Sequence, residues 1–356
     1  MNKKVVALAL VLILSLTVLA GCAGNEAPAE TPAGEEAVRI AIIHGNLGDL
    51  GFIDEAHIGL NKAKEELGIE FDYAEILENS EVETQLRMFS DSSDYDLIIA
   101  LGANYIDPLL AVAADYPEQH YTLADGVVEG YDNIHSIRAL DPEQTFLSGV
   151  IAGLVTLDER MPLSNPENII GFVGGMDTPV SRSGAAGFMA GARYVNPEVE
   201  FIYNIVGNYR DPGTAKEIAM TSYGRGADVI SHNAGGSGLG VFAAAEESDK
   251  YVIGSSLATV DPERSLVTSI KRIDLLIYQE IEEVVNGTWA SGVTLKGIRD
   301  DVTGYSREGI NNELPEDILA IVEEVKQQYI DGKFQLPDDP DQVDAWTLEN
   351  SYENNK

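Results

Sequence analysis

Aromatic and polar side chains recur just after the predicted strands of this chain. The aromatic ones offer flat faces on which a planar ring can stack, and the polar ones offer hydrogen-bond donors and acceptors. In an open parallel sheet the residues that follow the strands meet at one edge, where ligands bind. The combination predicts a site for a small, neutral, partly aromatic polar molecule. The candidates are Asp49, Phe52, Asp54, Asn104, Tyr105, Asp125, Tyr209, Asn233 and Lys271.

Several of these residues also have a purely structural interpretation, which the sequence leaves open. The alternatives are a helix cap for Asp49, a turn for Asp125, Asn104 and Asn233, a hydrophobic core for Phe52 and Tyr209, and a solvated surface for Lys271.

Motifs of common catalytic chemistry are incomplete in this sequence. The glycine run 235–240 lacks the spacing of a dinucleotide-binding loop, since Val241 stands where the last glycine belongs. The segment 254–258 is only a partial nucleophile elbow. The histidines are dispersed, and no pair has zinc-ligand spacing. The sequence therefore favours a binding protein over an enzyme, and it implies neither a cofactor nor a metal.

The charge balance excludes one class of partner. The chain carries 23 Lys and Arg against 59 Asp and Glu, which gives a formal net charge of −36. Such a surface repels polyanions, which argues against nucleic-acid binding, and it also repels anionic lipid headgroups. The 356 residues are enough for two cores of about 100–200 residues each. The single cysteine, Cys22, excludes an intramolecular disulfide.

The first 21 residues are typical of a secretory signal. Lys3 and Lys4 precede an apolar run, 5–20, that is shorter than the roughly 20 residues of a bilayer span. The run ends in a Leu-Ala-Gly-Cys sequence that resembles the lipobox of bacterial lipoproteins. That resemblance implies that Cys22 is lipidated and anchors the chain at the extracytoplasmic face of the cell membrane. An uncleaved anchor or an ordinary signal is the alternative. Residues 22–37 are predicted to be a flexible linker.

The body of the chain alternates strands with helical stretches, which argues for parallel α/β units. The order recurs about 130 residues later. Strands are predicted at 38–43, 71–76, 96–101 and 121–124, and again at 169–173, 199–203, 228–232 and 251–253. The repeat predicts an α/β protein of two Rossmann-like lobes joined by a hinge, with a cleft between the strand ends. A single sheet of nine or ten strands is the alternative.

The C-terminal third is predicted to return across both lobes. A further strand at 266–270 and an amphipathic helix at 273–286 precede a last helix that starts at Pro315. The predicted lobes are 38–140 plus 262–287 and 141–261 plus 288–334. The tail, 335–356, is acidic and polar and is predicted to be solvated, because its aspartates lack the spacing of a calcium loop.

Five segments together resemble the basic membrane protein family, which includes purine nucleoside receptor lipoproteins of ABC importers. These segments are 48–52, 173–179, 209–212, 234–242 and 268–272, and the resemblance extends over 38–331. It implies a fold like that of type I periplasmic binding proteins and a nucleoside or related ligand.

The resemblance also implies roles for matching residues. Phe52 and Tyr209 would stack on the two faces of a base, and Asp49 would accept hydrogen bonds near the base or sugar. Asp125 would lie at the hinge-side edge of the cleft, and Lys271 would donate to a ribose hydroxyl.

Two glycines match the family pattern, and three other positions depart from it. Backbone at Gly235 and Gly236 would approach the ligand without interference from Cβ atoms. Three places depart from the family pattern, which has an asparagine at Ile53, often an aromatic residue at Gly184, and a ribose-binding aspartate at Ser255-Ser256. Losing a buried hydroxyl acceptor costs on the order of 1–3 kcal/mol, so these departures bear on which ligand is bound.

The predicted function is that of an extracytoplasmic solute-binding lipoprotein of an ABC importer. It would act as a monomer, capture a small polar ligand, most simply a nucleoside, and deliver it to an ABC permease. The alternatives are a ligand-sensing lipoprotein that signals to a membrane receptor and a surface enzyme that processes nucleosides. Transport would be powered elsewhere, because the chain has no nucleotide-hydrolysis loop.

Overall fold

The computed structural model describes residues 37–355, and its first sheet contains six strands. They are β1 (Arg39–His44), β2 (Glu70–Glu75), β3 (Leu97–Leu101), β4 (Tyr121–Ala124), β5 (Ile134–Ala139) and β11 (Gly292–Lys296). Their spatial order is β11-β5-β4-β3-β1-β2, and every pairing is parallel. The run from Ile40 to Ile43 is apolar and fully buried, as expected for a strand covered by helices on both faces.

The second sheet repeats this plan. Its strands are β6 (Ile169–Gly174), β7 (Glu200–Ile205), β8 (Ala227–Asn233), β9 (Tyr251–Gly254), β10 (Ser265–Lys271) and β12 (Thr303–Ser306). Their order is β12-β10-β9-β8-β6-β7, and only β12, which pairs with β10, is antiparallel. In each half the first strand lies between the second and the third. The predicted α/β fold of two duplicated lobes is therefore confirmed, and the single large sheet is excluded.

Ten α-helices cover the two sheets within residues 37–355. They are α1 (Phe52–Leu67), α2 (Val82–Ser92), α3 (Ile106–Asp115), α4 (Asp141–Val155), α5 (Pro179–Val195), α6 (Pro212–Gly224), α7 (Gly238–Ser248), α8 (Ile273–Val285), α9 (Glu316–Ile330) and α10 (Pro340–Glu349). On the first sheet, α1 and α8 bury one face and α2 and α3 the other. On the second sheet, α4, α5, α9 and α10 bury one face and α6 and α7 the other.

Helices α4 and α5 pack backbone against backbone. A methyl group built at Gly149 would lie 2.1 Å from the Phe188 carbonyl oxygen, and one at Gly191 would lie 2.0 Å from that of Phe146. Glycine is thus required here by the close approach of the helices. Helix α4 is not apparent in the sequence, because 14 of its 15 residues are buried and no amphipathic pattern marks it.

The predicted lobe boundaries differ from the observed sheets in the C-terminal third. Strand β10 was expected in the first lobe, but it pairs with β9 and β12 of the second sheet. Strand β11 was expected in the second lobe, but it pairs with β5 of the first sheet. Helix α8 packs on α1 in the first lobe, as expected. The chain therefore crosses between the sheets after β5, after β10 and after β11. Strands β11 and β12 become the outer strands next to β5 and β10, pairings that the local sequence does not reveal.

The prediction of a solvated tail was wrong. Helix α10 packs on α5, and its Val343 is fully buried in the core of the second lobe. Arg182 of α5 forms ion pairs with Asp339 at 2.7 Å and Asp341 at 3.2 Å. The aspartates that gave the tail its polar character thus face an arginine on the protein, so the tail folds back over the lobe.

The predicted signal, Cys22 and all but the last residue of the linker lie outside the described residues. Among residues 37–355, no helix is long and apolar enough to cross a membrane.

Candidate functional site

A cluster of four charged residues lies where the chain crosses between the two sheets; we call it the crossover cluster. Lys271 ends β10, and its Nζ donates to Asp125 at 2.5 Å and to Asp141 at 2.9 Å. Asp125 follows β4 of the first sheet, and Asp141 opens α4, which packs on the second. Arg138, near the end of β5, also donates to Asp141. Lys271 therefore links groups from both lobes at the carboxyl ends of their strands.

The electrostatics of the crossover cluster favour the charged forms of Lys271 and Asp141 despite burial, but not that of Asp125. Burial alone would lower the pKa of Lys271, but the two carboxylates raise it well above its usual value. Burial would likewise raise the pKa of Asp141, yet Lys271 and Arg138 bring it below the usual value. For Asp125, burial prevails over the attraction of Lys271 and raises the pKa. Two cations thus face two carboxyl groups, which limits the cost of burying them.

Phe52 lies beside this cluster. It is the first residue of α1, and its ring centroid is 5.7 Å from Lys271 Nζ, within cation–π range. The ring also packs against the core of the first lobe and is only partly buried. The core interpretation and the site interpretation of Phe52 thus describe different sides of one ring.

The carboxylates of Asp49 and Asp54 organise the loop before α1. Asp49 accepts hydrogen bonds from the backbone N–H groups of Gly51, Ile53 and Asp54, at 3.1–3.2 Å. Asp54 accepts from the N–H groups of Gly48 at 2.8 Å and Leu50 at 2.9 Å. These contacts match the helix-capping alternative for Asp49. Asp49 Oδ1 already accepts two of these bonds, but Asp49 Oδ2 and both oxygens of Asp54 accept one each and can accept another from a ligand.

Tyr209 forms a wall of the second lobe. Its ring lies over Gly175, where a methyl group would be 2.3 Å from the ring atoms Cδ1 and Cε1. At Gly235, whose φ is +53°, a methyl group would lie 3.5 Å from the ring carbon Cδ1. Gly236 approaches the Tyr209 carbonyl oxygen. The tyrosine is 41% exposed, so one face of the ring is available to a ligand.

Asn233 connects this wall to the start of α4. Its carbonyl oxygen accepts a hydrogen bond from Gly175 N at 3.0 Å. A methyl group at Gly184 of α5 would lie 3.4 Å from the Asn233 amide nitrogen, so an aromatic residue at Gly184 would displace the amide. The Gly184 carbonyl accepts from the Thr145 hydroxyl at 2.6 Å, one turn after Asp141. Asn233 therefore lies between the Tyr209 wall and helix α5, which packs on α4.

In the first lobe, Asn104 and Tyr105 occupy the equivalent segment, but they are not arranged as predicted for ligand-contacting residues. Tyr105 is only 3% exposed and belongs to the core of the first lobe, so its prediction as a ligand-contacting residue is corrected. Asn104 is exposed, and its amide donates to Asn79 at 3.1 Å. The structure thus brings Phe52, Asp125 and Lys271 together, and it groups Tyr209, Asn233, Gly235 and Gly236 separately. No contact among the described residues joins Phe52 to Tyr209.

Sequence reasoning missed several groups near the crossover. Asp141 and Arg138 lie in segments to which no element was assigned. Glu55 of α1 hydrogen-bonds with Ser256, which follows β9 of the second sheet, so these residues bring the two lobes into contact. Burial, reinforced by the Asp274 carboxylate, raises the pKa of Glu55 to about 8.

Unsatisfied polar atoms also mark this region. Within the described residues, Arg138 Nε and the side-chain oxygen of Gln144 are buried without a hydrogen-bond partner, and both belong to the first turn of α4 or the strand before it. Ser181 Oγ and the Tyr203 hydroxyl, beside Gly174 at the end of β6, are also buried and unpartnered. Buried polar atoms are normally paired, so these atoms call for water or a polar ligand.

The comparisons with known proteins agree with this architecture. Residues 37–337 match the family model Bmp, described as ABC transporter substrate-binding protein PnrA-like. The nucleoside-binding ABC transporter protein BmpA of Lactococcus lactis is 27% identical over 95% of this chain and 99% of its own length. An uncharacterised lipoprotein of Pyrococcus abyssi is 28% identical over 93% of this chain and 87% of its own length.

A solved structure has the same overall fold. The ABC transporter solute-binding protein of Aeropyrum pernix K1 superposes with a TM-score of 0.76 at 28% identity, covering 89% of this chain and 98% of that protein. The family match covers most of the chain, including both sheets and the crossover cluster. The chain therefore belongs to the Bmp family of PnrA-like ABC transporter substrate-binding proteins.

Proposed function

We propose that this protein captures a nucleoside, or a closely related polar ring compound, between its lobes and delivers it to an ABC permease. The family is one of substrate-binding proteins, which implies a small-molecule ligand and a permease partner. The finer assignments, to a nucleoside and to a lipid-anchored monomer, are part of the proposal.

The crossover cluster is the observation that carries the proposal. Lys271, Asp125 and Asp141 lie at the carboxyl ends of strands from both lobes, with the Phe52 ring beside them. Lys271 Nζ has three N–H groups, and two donate to the aspartates, so one is left for an acceptor on the ligand. Parallel α/β sheets bind ligands at this edge.

The nucleoside assignment is supported by the flat side chains on the two lobes. Phe52 belongs to the first lobe and Tyr209 to the second, and each leaves part of its ring exposed. Stacking of a base on an aromatic ring contributes about 1–3 kcal/mol. The Lactococcus lactis relative is named as nucleoside-binding, which also supports the nucleoside assignment.

Closure of the lobes would complete the site. In the open state, water solvates the rings and the third N–H group of Lys271. When the lobes approach, the ligand replaces that water, and hydrogen bonds to Lys271 strengthen in the drier cleft. The Glu55–Ser256 contact already joins the lobes near this edge.

The anchoring proposal rests on the sequence before the described residues. Cys22 follows the lipobox-like sequence, and relatives from Pyrococcus are named as lipoproteins. An anchor there, with the following residues as a tether, would hold the binding protein close to the permease at the extracytoplasmic face. A Cys22→Ser variant should leave the membrane fraction, whereas unchanged fractionation would contradict the anchor.

A thermal-shift screen over nucleosides, bases, sugars and amino acids tests the ligand assignment. A ligand present at 100 times its dissociation constant should stabilise the protein by about 2.7 kcal/mol. We expect at least one nucleoside to do so, and Tyr209→Leu to weaken its binding by about tenfold or more.

The matched control is Tyr131→Leu, because Tyr131 is similarly exposed but precedes β5, at the opposite edge of the first sheet. A shift by another compound class alone would overturn the nucleoside assignment. Equal effects of the two substitutions would overturn the role of Tyr209.

A further inference from the structure

Two histidines meet head to head in the first lobe, away from the crossover cluster. His44 is the last residue of β1 and is fully buried, and His57 lies on α1. Their Nε2 atoms are 2.8 Å apart, and the rings are nearly perpendicular, with centroids 4.8 Å apart. Tyr73 stacks on His44 at 5.6 Å and contacts the edge of His57 at 5.0 Å. The aromatic neighbour therefore holds both rings in place.

The hydrogen bond on the far side of His44 fixes its tautomer. Nδ1 lies 2.5 Å from the carbonyl oxygen of Gly45, which can only accept, so Nδ1 carries the hydrogen. In the neutral ring, Nε2 of His44 then presents a lone pair toward His57. A backbone carbonyl that receives the other N–H group is the usual arrangement around a metal-binding imidazole.

A carboxylate on the neighbouring strand is near enough to act electrostatically on both rings. Glu75 pairs with His44 in the parallel β1–β2 ladder, so the two side chains leave the same face of the sheet. Its Oε2 accepts from Leu47 N at 3.0 Å, whereas its Oε1 has no hydrogen-bond partner among residues 37–355. Glu75 is exposed, which gives solvent ions a path to the histidines.

We propose that His44, His57 and Glu75 form a binding site for a divalent transition metal of the zinc class. Two imidazole nitrogens and one carboxylate oxygen are a common ligand set for such ions, with water in the remaining positions. Zinc–nitrogen bonds of about 2.0–2.1 Å place two tetrahedral ligands about 3.3 Å apart. On binding, the Nε2 atoms would separate by about half an ångström, and His57 would move its hydrogen to Nδ1 as the hydrogen bond between the rings is lost. Glu75, whose oxygens do not lie within 4.8 Å of both ring nitrogens, would rotate Oε1 toward them.

The charge environment suits a cation. The carboxylates that act on the pair are Glu75, Asp49 and Asp54, from β2 and from the loop and first turn of α1. Burial lowers the pKa of His44, and burial together with His44 lowers that of His57. Both rings are therefore neutral near pH 7, which is the form that binds a metal.

Another acidic and histidine-containing group in the same lobe makes an instructive contrast. Ligand atoms of His135, Glu280 and Glu283 lie within 4.8 Å of one another. However, Glu280 accepts hydrogen bonds from Thr122, Trp289 and His135, and His135 Nε2 is bonded to Thr294 at 2.9 Å. A metal would have to displace all four of these contacts, whereas at His44 and His57 it displaces only the one between the rings, so the group around Glu280 is a satisfied structural network.

The site would tie three elements of the first lobe together. A metal held by β1, α1 and β2 would fasten the start of the segment 45–51, which carries Asp49 and leads to Phe52. This inference does not depend on the identity of the transported ligand. It revises the expectation of no metal, because His44 and His57 belong to a strand and a helix whose contact the sequence spacing does not reveal.

Calorimetric titration of the full chain with Zn²⁺ tests the proposal, with Co²⁺ absorption as a readout of low-coordinate geometry. We expect one Zn²⁺ ion per chain to bind tightly, in addition to the weak binding of several ions that an acidic surface gives. His57→Gln should weaken that tight binding at least about tenfold, since even loss of a group that only orients a ligand costs 10–100-fold. The exposed Glu75→Gln variant should weaken it as well and keeps the test valid if His57→Gln folds poorly.

The matched control is His120→Gln, which removes an exposed histidine stacked on Trp289 in the same lobe. It should bind Zn²⁺ as the unaltered chain does. Weak, multiple binding alone would overturn the proposal. So would a tight equivalent that survives in both His57→Gln and Glu75→Gln, which would assign the ion to another group, such as Cys22.

Discussion

Two carboxyl groups near the crossover between the lobes respond to burial in opposite ways. Asp141 is fully buried, and burial alone would raise its pKa, yet Lys271 and Arg138 bring it below the usual value. Glu55 is only partly buried, and the cation that acts on it, Arg272, is already paired with Asp274. Burial therefore raises the pKa of Glu55 to about 8. Asp141 has two cationic partners, Lys271 and Arg138, whereas the cation near Glu55 is held by Asp274, and this decides the opposite directions of the two pKa shifts.

The difference distinguishes two contacts between the lobes, one made by an ion pair and one made by a carboxyl group that can change its charge. In the crossover cluster, Lys271 and Asp141 are stabilised in their charged forms, and their ion pair holds strands of both lobes together. The Glu55–Ser256 contact, by contrast, joins the lobes through a group that titrates close to neutral pH. A binding protein that must open and close needs both kinds of contact, a fixed axis and a weaker closure.

The largest expected effect comes from removing the cation of the crossover cluster. Lys271→Met leaves Asp125 and Asp141 buried and facing each other, so we expect a loss of about 3–5 kcal/mol in the free energy of unfolding. The control is Lys216→Met, which breaks an exposed ion pair with Glu247 and should cost less than about 1 kcal/mol. Urea denaturation measures both.

A double variant sharpens this result. Adding Asp125→Asn to Lys271→Met removes the carboxyl group that has lost its cation, since Asp141 keeps its ion pair with Arg138, and should recover part of the lost stability. If Lys271→Met costs no more than Lys216→Met, the crossover cluster is not the junction described here.

The next effect concerns pH. The folded protein retains the Glu55 proton up to about pH 8, whereas the unfolded chain releases it near 4.5. The free energy of unfolding should therefore be highest below pH 4.5, as far as Glu55 is concerned, and should fall as the pH rises toward 8. Glu55→Gln should remove this decline and leave the variant about 2–4 kcal/mol more stable than the unaltered chain at pH 8.

Denaturation curves at several pH values give the comparison. Glu65→Gln, an exposed position on the same helix, is the control and should keep the original pH dependence. A Glu55→Gln profile parallel to that of the control would mean that Glu55 does not titrate in this range.

The smallest effect on stability is expected at the uncharged wall of the second lobe. Gly175→Ala places a methyl group against the Tyr209 ring, which is exposed and can swing away, so stability should change by about 1 kcal/mol or less. Ligand binding should nevertheless weaken several-fold, because the ring leaves its position. Gly224→Ala, where a methyl group meets no atom within 4 Å, is the control. Unchanged affinity in Gly175→Ala would remove Tyr209 from the site.

The regular part of the fold was predictable from sequence because it depends on local pattern. Buried strands such as β1 and β3 are continuous apolar runs, and the repeat of strands and helices identified the duplication. The stripe of Ile318, Val322 and Val325 predicted α9 correctly. These signals lie within a few residues of one another, so no tertiary information is needed to read them.

The partners within the site were not predictable because they are distant in sequence. Lys271 contacts residues 146 and 130 positions away, and no local pattern links them. Tyr105 follows a strand like the other candidates, but its side chain turns into the core. Helix α4 carries Asp141, and its almost complete burial removes the polar face that normally reveals a helix.

A crystal structure with the nucleoside that gives the largest thermal shift tests the central claim most directly. The account predicts a closed protein in which the base stacks on Phe52 and Tyr209 and a polar atom of the ligand accepts a hydrogen bond from Lys271. A nucleoside bound outside the space between the lobes, or between them without contact to any of these three residues, would contradict it.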